Sequence, residues 1–370
     1  MSRIIIVKKT FIKLIIISGV FLSLISCQKS KKAISEDCIK NLKYSDFIQK
    51  VESYLYEDNF QGSVLIGKKN KIIYAQGFGY QDPKSSTLEK NSISTTYEIG
   101  SITKQITAAA IMKLVEQGKL NLEDKLSLFY PDYKYGEEIN IKMLLNMRSG
   151  LTDYINTGDD FFPRKVFNQI EKAQIANRAL DDGIVLKYFY TAPLMAKPDS
   201  TYFYCNTNYY LLADIIEKIT NQSYHEFIQE NIFIPCAMSN SNLDFQNTSS
   251  KAYDYKGRYY SIPQALSKGC GDINSNVLDL FQWNCNFYNG KVVSKKSFKE
   301  MTNYSGYGYG IYCSQDSYFH AGNTNVFNSY LAYYPKEKLS VIVLVNAPVS
   351  KISSTIYARN IYKIFKNFNK

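Results

Sequence analysis

The chain has 370 residues, 45% of them apolar and 21% charged, a composition that suits a globular protein long enough for a sizeable core. Its formal charge of +11 is not gathered into a Lys/Arg stripe and no nucleic-acid motif occurs, so no nucleic-acid partner is expected. With only two histidines, His225 and His320, and no C-x-x-C pair, neither a metal site nor a cofactor is expected.

Arg3, Lys8, Lys9 and Lys13 precede an apolar run at 14–25 that no acidic residue interrupts, the pattern of an export signal over residues 1–26. The run is shorter than the roughly 20 residues a spanning helix needs. Its end, Leu24-Ile25-Ser26-Cys27, resembles the lipobox of bacterial lipoproteins. That resemblance implies acylation of Cys27, a tether over 27–41, and a lipid-anchored protein of the cell envelope facing the periplasm or exterior. Export permits disulfides among Cys38, Cys205, Cys236, Cys270, Cys285 and Cys313, and spacing alone does not select a pairing.

Apolar spacing predicts a helix over 44–56 and a strand hairpin from 62–67 and 71–77. Helices follow at 102–116, 208–220 and 224–232. Strand patterns return at 309–313, 329–335 and 339–346, and a last helix is expected over 352–365. Strands near both ends of the chain with helices between them indicate an α+β domain over 42–368. Its antiparallel sheet would be flanked by N- and C-terminal helices. A mostly helical lobe at about 105–290 would be inserted between the strands, leaving a cleft.

The stretch "EIGSITKQITAAAIMKLVEQGKLNLED", residues 98–124, carries Ser101 and Lys104 one turn apart on a helix made apolar by Ile102, Ile106, Ala109, Ala110, Leu114 and Val115. The i, i+3 spacing puts the amine beside the hydroxyl. Burial lowers a lysine pKa, so the amine can take the serine proton and make Ser101 a nucleophile. A helix start supplies N–H groups and a positive dipole end for an oxyanion. Ser-x-x-Lys also occurs at 26–29, and a capping Ser with a solvated Lys is the plainer reading of the pattern taken alone.

Tyr204-Cys205-Asn206 directly precedes the 208–220 helix. Beside a cationic lysine, Tyr204 is expected to have a depressed pKa and to shuttle protons to a leaving group. Asn206 is expected to bond Lys104 and a substrate amide. Tyr154-Ile155-Asn156 matches the same short pattern, and the stronger following helix favours Tyr204. At the expected start of a strand stands His320-Ala321-Gly322, where Gly322 would let a substrate approach the backbone.

Together, Ser101-Ile102-Thr103-Lys104, Tyr204-Cys205-Asn206 and His320-Ala321-Gly322 resemble the three motifs of the penicillin-recognising serine hydrolases. The likeness is to the branch with Tyr-x-Asn, which holds class C β-lactamases, certain D-alanyl-D-alanine carboxypeptidases and many esterases. It covers about residues 45–346 and includes "LLNMRSGL" at 144–151 and "IFIPCAM" at 232–238. The resemblance implies a β-lactamase-like fold, Ser101 as acylated nucleophile, Lys104 as its activating amine and Tyr204 as acid and base partner. It also implies Asn206, His320, Gly322 and Asn323 as substrate-binding residues, with the N–H groups of Ser101 and Asn323 forming the oxyanion hole. Cys236-Ala237 departs from the family's Leu-Gly, and Val326 stands where Gly is common, near the substrate strand.

The expected function is a serine hydrolase acting through an acyl-enzyme on a D-alanyl peptide, a β-lactam or a small ester, with a small-molecule or peptidoglycan-derived substrate. The alternative is a non-catalytic or slowly turning over penicillin-binding sensor. A Ser-His-acid hydrolase with His320 as base ranks below both, since G-x-S-x-G is absent.

Overall fold

Alternation of buried side chains along the central strands divides the core into two layers. In the computed structural model, which describes residues 38–155, 183–253, 256–258, 264–324, 326–347 and 353–368, the main sheet is antiparallel and has eight strands. They are β1 (Cys38–Lys40), β2 (Gly62–Lys68), β3 (Lys71–Phe78), β6 (Gly306–Tyr307), β7 (Tyr312–Cys313), β8 (Tyr318–Asn323), β9 (Asn328–Tyr334) and β10 (Leu339–Val345). Their order is β1-β3-β2-β10-β9-β8-β7-β6. Two further strands, β4 (Tyr97–Glu98) and β5 (Asn274–Ser275), pair with each other.

Chain ends meet at the sheet's centre, where β2 pairs with β10 from Gly62↔Val345 to Lys68↔Leu339. Val64, Ile66, Val341 and Val343 face one layer, and Leu65, Ile342 and Leu344 the other, as the two-residue strand period requires. Helices α1 (Ser45–Glu57) and the C-terminal Ser354–Phe368 cover the first layer. They do so with Phe47, Ile48, Val51 and Leu55 from one and Tyr357, Ala358, Ile361 and Phe365 from the other.

The opposite layer contains α2 (Thr103–Glu116), α3 (Asn206–Thr220) and α4 (Val277–Phe287). Every residue of α2 from Thr103 to Met112 is buried, so its polar side chains need partners inside the protein. Gln105 accepts from Trp283 Nε1 at 2.6 Å, and Thr107 bonds the Tyr224 hydroxyl and the Gly269 carbonyl, both at 2.7 Å. This helix is the frame on which the site below is built.

The expected domain plan needs three adjustments. Cys38–Lys40, assigned to the tether, is an edge strand paired with β3, an arrangement too short to leave a periodic signal. The strand expected at 309–313 shrinks to Tyr312–Cys313, because Gly310 takes a φ of +69° and turns the chain. The helix expected over 224–232 changes to a π-turn at Gln229–Phe233 and ends at Cys236. The leader 1–26, Cys27 and Asn156 lie outside the described residues. Cys205, Cys236, Cys270, Cys285 and Cys313 are free thiols.

The departure at Ala237 now has a cost attached. Ala237 caps its helix at φ +57°, in the left-handed region where the resembled family has glycine. Ala237→Gly is therefore expected to stabilise the fold by up to about 1 kcal/mol. Thermal denaturation checks this, and an unchanged or lower midpoint would contradict the strain.

Candidate active site

Ser101 sits in a 3-10 turn, Gly100–Ile102, that runs directly into α2. Gly100 has φ +52°, and a Cβ there would stand 2.9 Å from Asn323 N in β8. A Cβ on Gly322 would lie 2.0 Å from Ile99 O and 2.3 Å from Ser329 Oγ. These two glycines let the serine turn rest against β8. Gly322 was expected to admit the substrate; it borders the cleft, and the space of its missing side chain is taken by the protein itself.

Lys104 is fully buried, with Nζ 2.9 Å from Ser101 Oγ, 2.8 Å from Asn206 Oδ1 and 2.7 Å from Cys270 O. Burial pushes its pKa down, because an ammonium loses its hydration there. The two carbonyl oxygens can only accept. They take the two N–H bonds of a neutral amine, and its lone pair is left facing Ser101 Oγ. An ammonium would instead donate to all three.

Asn206 opens α3, and its Nδ2 donates to Asp153 Oδ2 at 2.9 Å and lies 3.2 Å from Oδ1. Its bond to Lys104 matches expectation. Its amide nitrogen is held by Asp153, and the residue borders the cleft where a substrate amide was expected. Sequence reasoning passed over Asp153, although it stands two residues after the "LLNMRSGL" segment and directly before the competing 154–156 pattern. In that pattern Tyr154 is fully buried and donates to Leu266 O, whereas Tyr204 hydrogen-bonds Ser101.

Tyr204 corrects the expected electrostatics. Burial raises its phenol well above the ordinary range, and the bond to Ser101 offsets this only in part. Lys104 Nζ lies 5.0 Å from the ring centroid, yet burial disfavours the ammonium that was to depress the phenol. Tyr204 is thus a protonated donor.

His320 is third in β8, is 1% exposed, and does not border the cleft among the described residues. Its Nδ1–H donates to Ala321 O at 2.7 Å, and Nε2 accepts from the Tyr307 hydroxyl at 3.2 Å. That tautomer follows because a carbonyl cannot donate. Rings of Tyr204, Tyr307 and Tyr312 enclose it at 6.4, 5.7 and 5.3 Å between centroids. The expected direct substrate contact through this side chain gives way to support of Tyr204 and Tyr307, since both ring nitrogens are already engaged.

The cleft measures about 290 Å³ and is bordered by Ser101, Tyr204, Asn206, Asn323, Phe245 and Ile155, among others. Val326 is fully buried in the core rather than on this border. A carbonyl such as that of Cys270 has no side-chain signature, which is why its part in holding Lys104 was invisible beforehand.

The family model named Beta-lactamase matches residues 47–361. The chain belongs to the beta-lactamase family. Members of this family are serine hydrolases, and the antiparallel sheet with its helical lobe is the beta-lactamase-like fold. The chain is 28% identical over 345 residues to PbpX of Bacillus subtilis (strain 168), which is named for the penicillin-binding proteins, covering 88% of this chain and 82% of PbpX. It is 29% identical over 338 residues to Protein flp of Staphylococcus aureus (strain MRSA252), covering 82% of this chain and 63% of that protein. Among solved structures, the octameric penicillin-binding protein homologue from Pyrococcus abyssi matches with a TM-score of 0.71 at 28% identity, covering 87% of this chain and 78% of that one.

Burial and the Lys104 charge push the His320 pKa down to about 3, so in the folded beta-lactamase domain the imidazole stays neutral where the unfolded chain binds a proton. Stability should then be fully present above the unfolded value near 6.5 and fall as pH drops from there toward 3, by up to about 1.4 kcal/mol per unit from this residue. Melting curves of wild type and His320→Gln between pH 7 and 5 check the point. The variant should show the shallower decline, and equal slopes would count against a neutral buried imidazole.

Proposed function

We propose that this family member is a serine hydrolase that forms an acyl-enzyme on Ser101, with Lys104 as the base. The observation that carries the proposal is the Lys104 amine, buried 2.9 Å from Ser101 Oγ with its two other neighbours restricted to accepting. In acylation the Ser101 proton passes to Lys104 Nζ while Oγ bonds the substrate carbonyl carbon. The N–H groups of Ser101 and Asn323, on the turn and strand that Gly100 brings together, receive the oxyanion. As the carbonyl–leaving-group bond breaks, the leaving group takes the Tyr204 phenol proton, and the Lys104 ammonium restores it. Water then attacks the ester, releases the acid and returns a proton to Ser101.

The substrate class is a D-alanyl peptide, a β-lactam or a small ester. The names of PbpX and the Pyrococcus homologue support the first two, and a cleft of about 290 Å³ accepts the reacting part of any of them. The leader pattern and Cys27 support an exported, lipid-anchored protein of the cell envelope. Replacing Cys27 by Ser should move the protein from the membrane to the soluble fraction, and unchanged fractionation would remove the anchor from the proposal.

A fluorophosphonate or fluorescent penicillin should label the wild-type protein and leave Ser101→Ala unlabelled. Lys104→Ala should slow acylation by a factor of about 100 to 10,000. Equal labelling of wild type and Ser101→Ala would sink the mechanism. Intact mass after a single addition of substrate separates turnover from a sensor: an adduct lost within seconds supports the hydrolase, and one that persists for hours supports the slow penicillin-binding alternative.

A further inference from the structure

We propose that Asp153 is a positioning residue for the Ser101–Lys104 pair, acting through Asn206 by fixing which end of that amide Lys104 meets. The inference rests on the hydrolase reading above and assigns a part to a residue outside the three motifs.

The two ends of an asparagine amide are nearly equal in size and opposite in hydrogen bonding. Were the Asn206 amide reversed, its NH₂ would face Lys104 Nζ, and the amine lone pair would accept from it rather than from Ser101. Asp153 prevents this. An ionised carboxylate only accepts, so it captures the NH₂ end, at 2.9 Å from Oδ2 and 3.2 Å from Oδ1, and leaves Oδ1 of Asn206 toward the amine at 2.8 Å. The carboxylate is itself held in place. Its Oδ1 accepts from Ile155 N at 2.9 Å, and the residue is 1% exposed.

Ser149 and Thr207 fasten this arm of the chain to the start of α3. Ser149 Oγ donates to Asn208 Oδ1 at 2.6 Å, and Thr207 Oγ1 donates to Thr152 O at 2.6 Å. Asp153 and Asn206 are therefore kept opposite each other by bonds on both sides, independent of anything in the cleft.

The carboxylate has a second effect, on the charge that appears when Lys104 takes the serine proton. The groups that face the amine are Cys205, Cys270, Tyr204, Tyr209, Tyr312, His320 and Asp153. Burial raises the thiols of Cys205 and Cys270 and the phenols of Tyr204 and Tyr209, and it lowers His320, so these five are uncharged near neutral pH. Among the groups named, Asp153 is the carboxylate that favours the nascent ammonium, one amide removed from it.

The test measures the rate of Ser101 acylation by a fluorophosphonate probe from pH 5 to 10 in the full chain. Asp153→Asn should slow acylation at neutral pH about tenfold or more, because its amide can present either end to Asn206. The reversed pair, Asp153→Asn with Asn206→Asp, keeps size, total charge and the amide–carboxylate contact but sets the carboxylate directly on Lys104. That raises the lysine pKa, so the acid limb of the rate profile should move to higher pH. A wild-type rate in Asp153→Asn, or a reversed pair whose acid limb has not moved, overturns the proposal. Should Asp153→Asn fail to fold, Asp153→Ser carries the test: it removes the carboxylate that favours the ammonium, so the acid limb should move to lower pH, whereas a merely structural Asp153 would change the yield of folded protein and leave the limb in place. Absence of labelling in the wild-type chain would overturn the hydrolase reading and this inference with it.

Discussion

Everything in this site depends on keeping one lysine amine out of water. A buried ammonium without its hydration is costly, so the fold either neutralises Lys104 or surrounds it with acceptors, and here it does some of each. The three atoms around Nζ come from three separate parts of the chain: the turn before α2, the first residue of α3 and the backbone at Cys270. Of the three, Ser101 alone is near Lys104 in sequence. The enclosure of α2 on all sides and the close rest of the Gly100 turn on β8 are what bring them to one point.

Burial then acts on the amine and the phenol in opposite directions and makes them a matched pair. Desolvation lowers the pKa of Lys104 and raises that of Tyr204, so the amine holds its proton less tightly and the phenol more tightly than in water. His320 follows the same rule and remains a neutral brace within its ring of tyrosines.

Much of this was legible in the residues. The hairpin of β2 and β3, the strands β9 and β10, and helices α1, α2 and α3 follow periodicity closely, since each buries a long apolar face. Ser101, Lys104, Tyr204 and Asn206 were legible as residue types, and the structure assembles them around one amine. Elements of two or three residues, such as β1 and β6, were not legible, because their only reason to form is a neighbouring strand. Asp153 escaped for a related reason: an acid just after a loop is ordinary until its partner is known.

What the sequence determined by itself was which polar groups gather at the cleft and the i, i+3 spacing that places Ser101 beside Lys104, because helix geometry is local and needs no other contact. Tertiary structure alone decided their protonation, the tautomer of His320, the orientation of the Asn206 amide and the backbone acceptor at Cys270. Protonation depends on desolvation, the His320 ring on the Tyr307 hydroxyl across the sheet, and the amide and the amine on partners 53 and 166 positions away along the chain, Asp153 for Asn206 and Cys270 for Lys104. Proton affinity is a property of the surroundings, and only the packed fold supplies them.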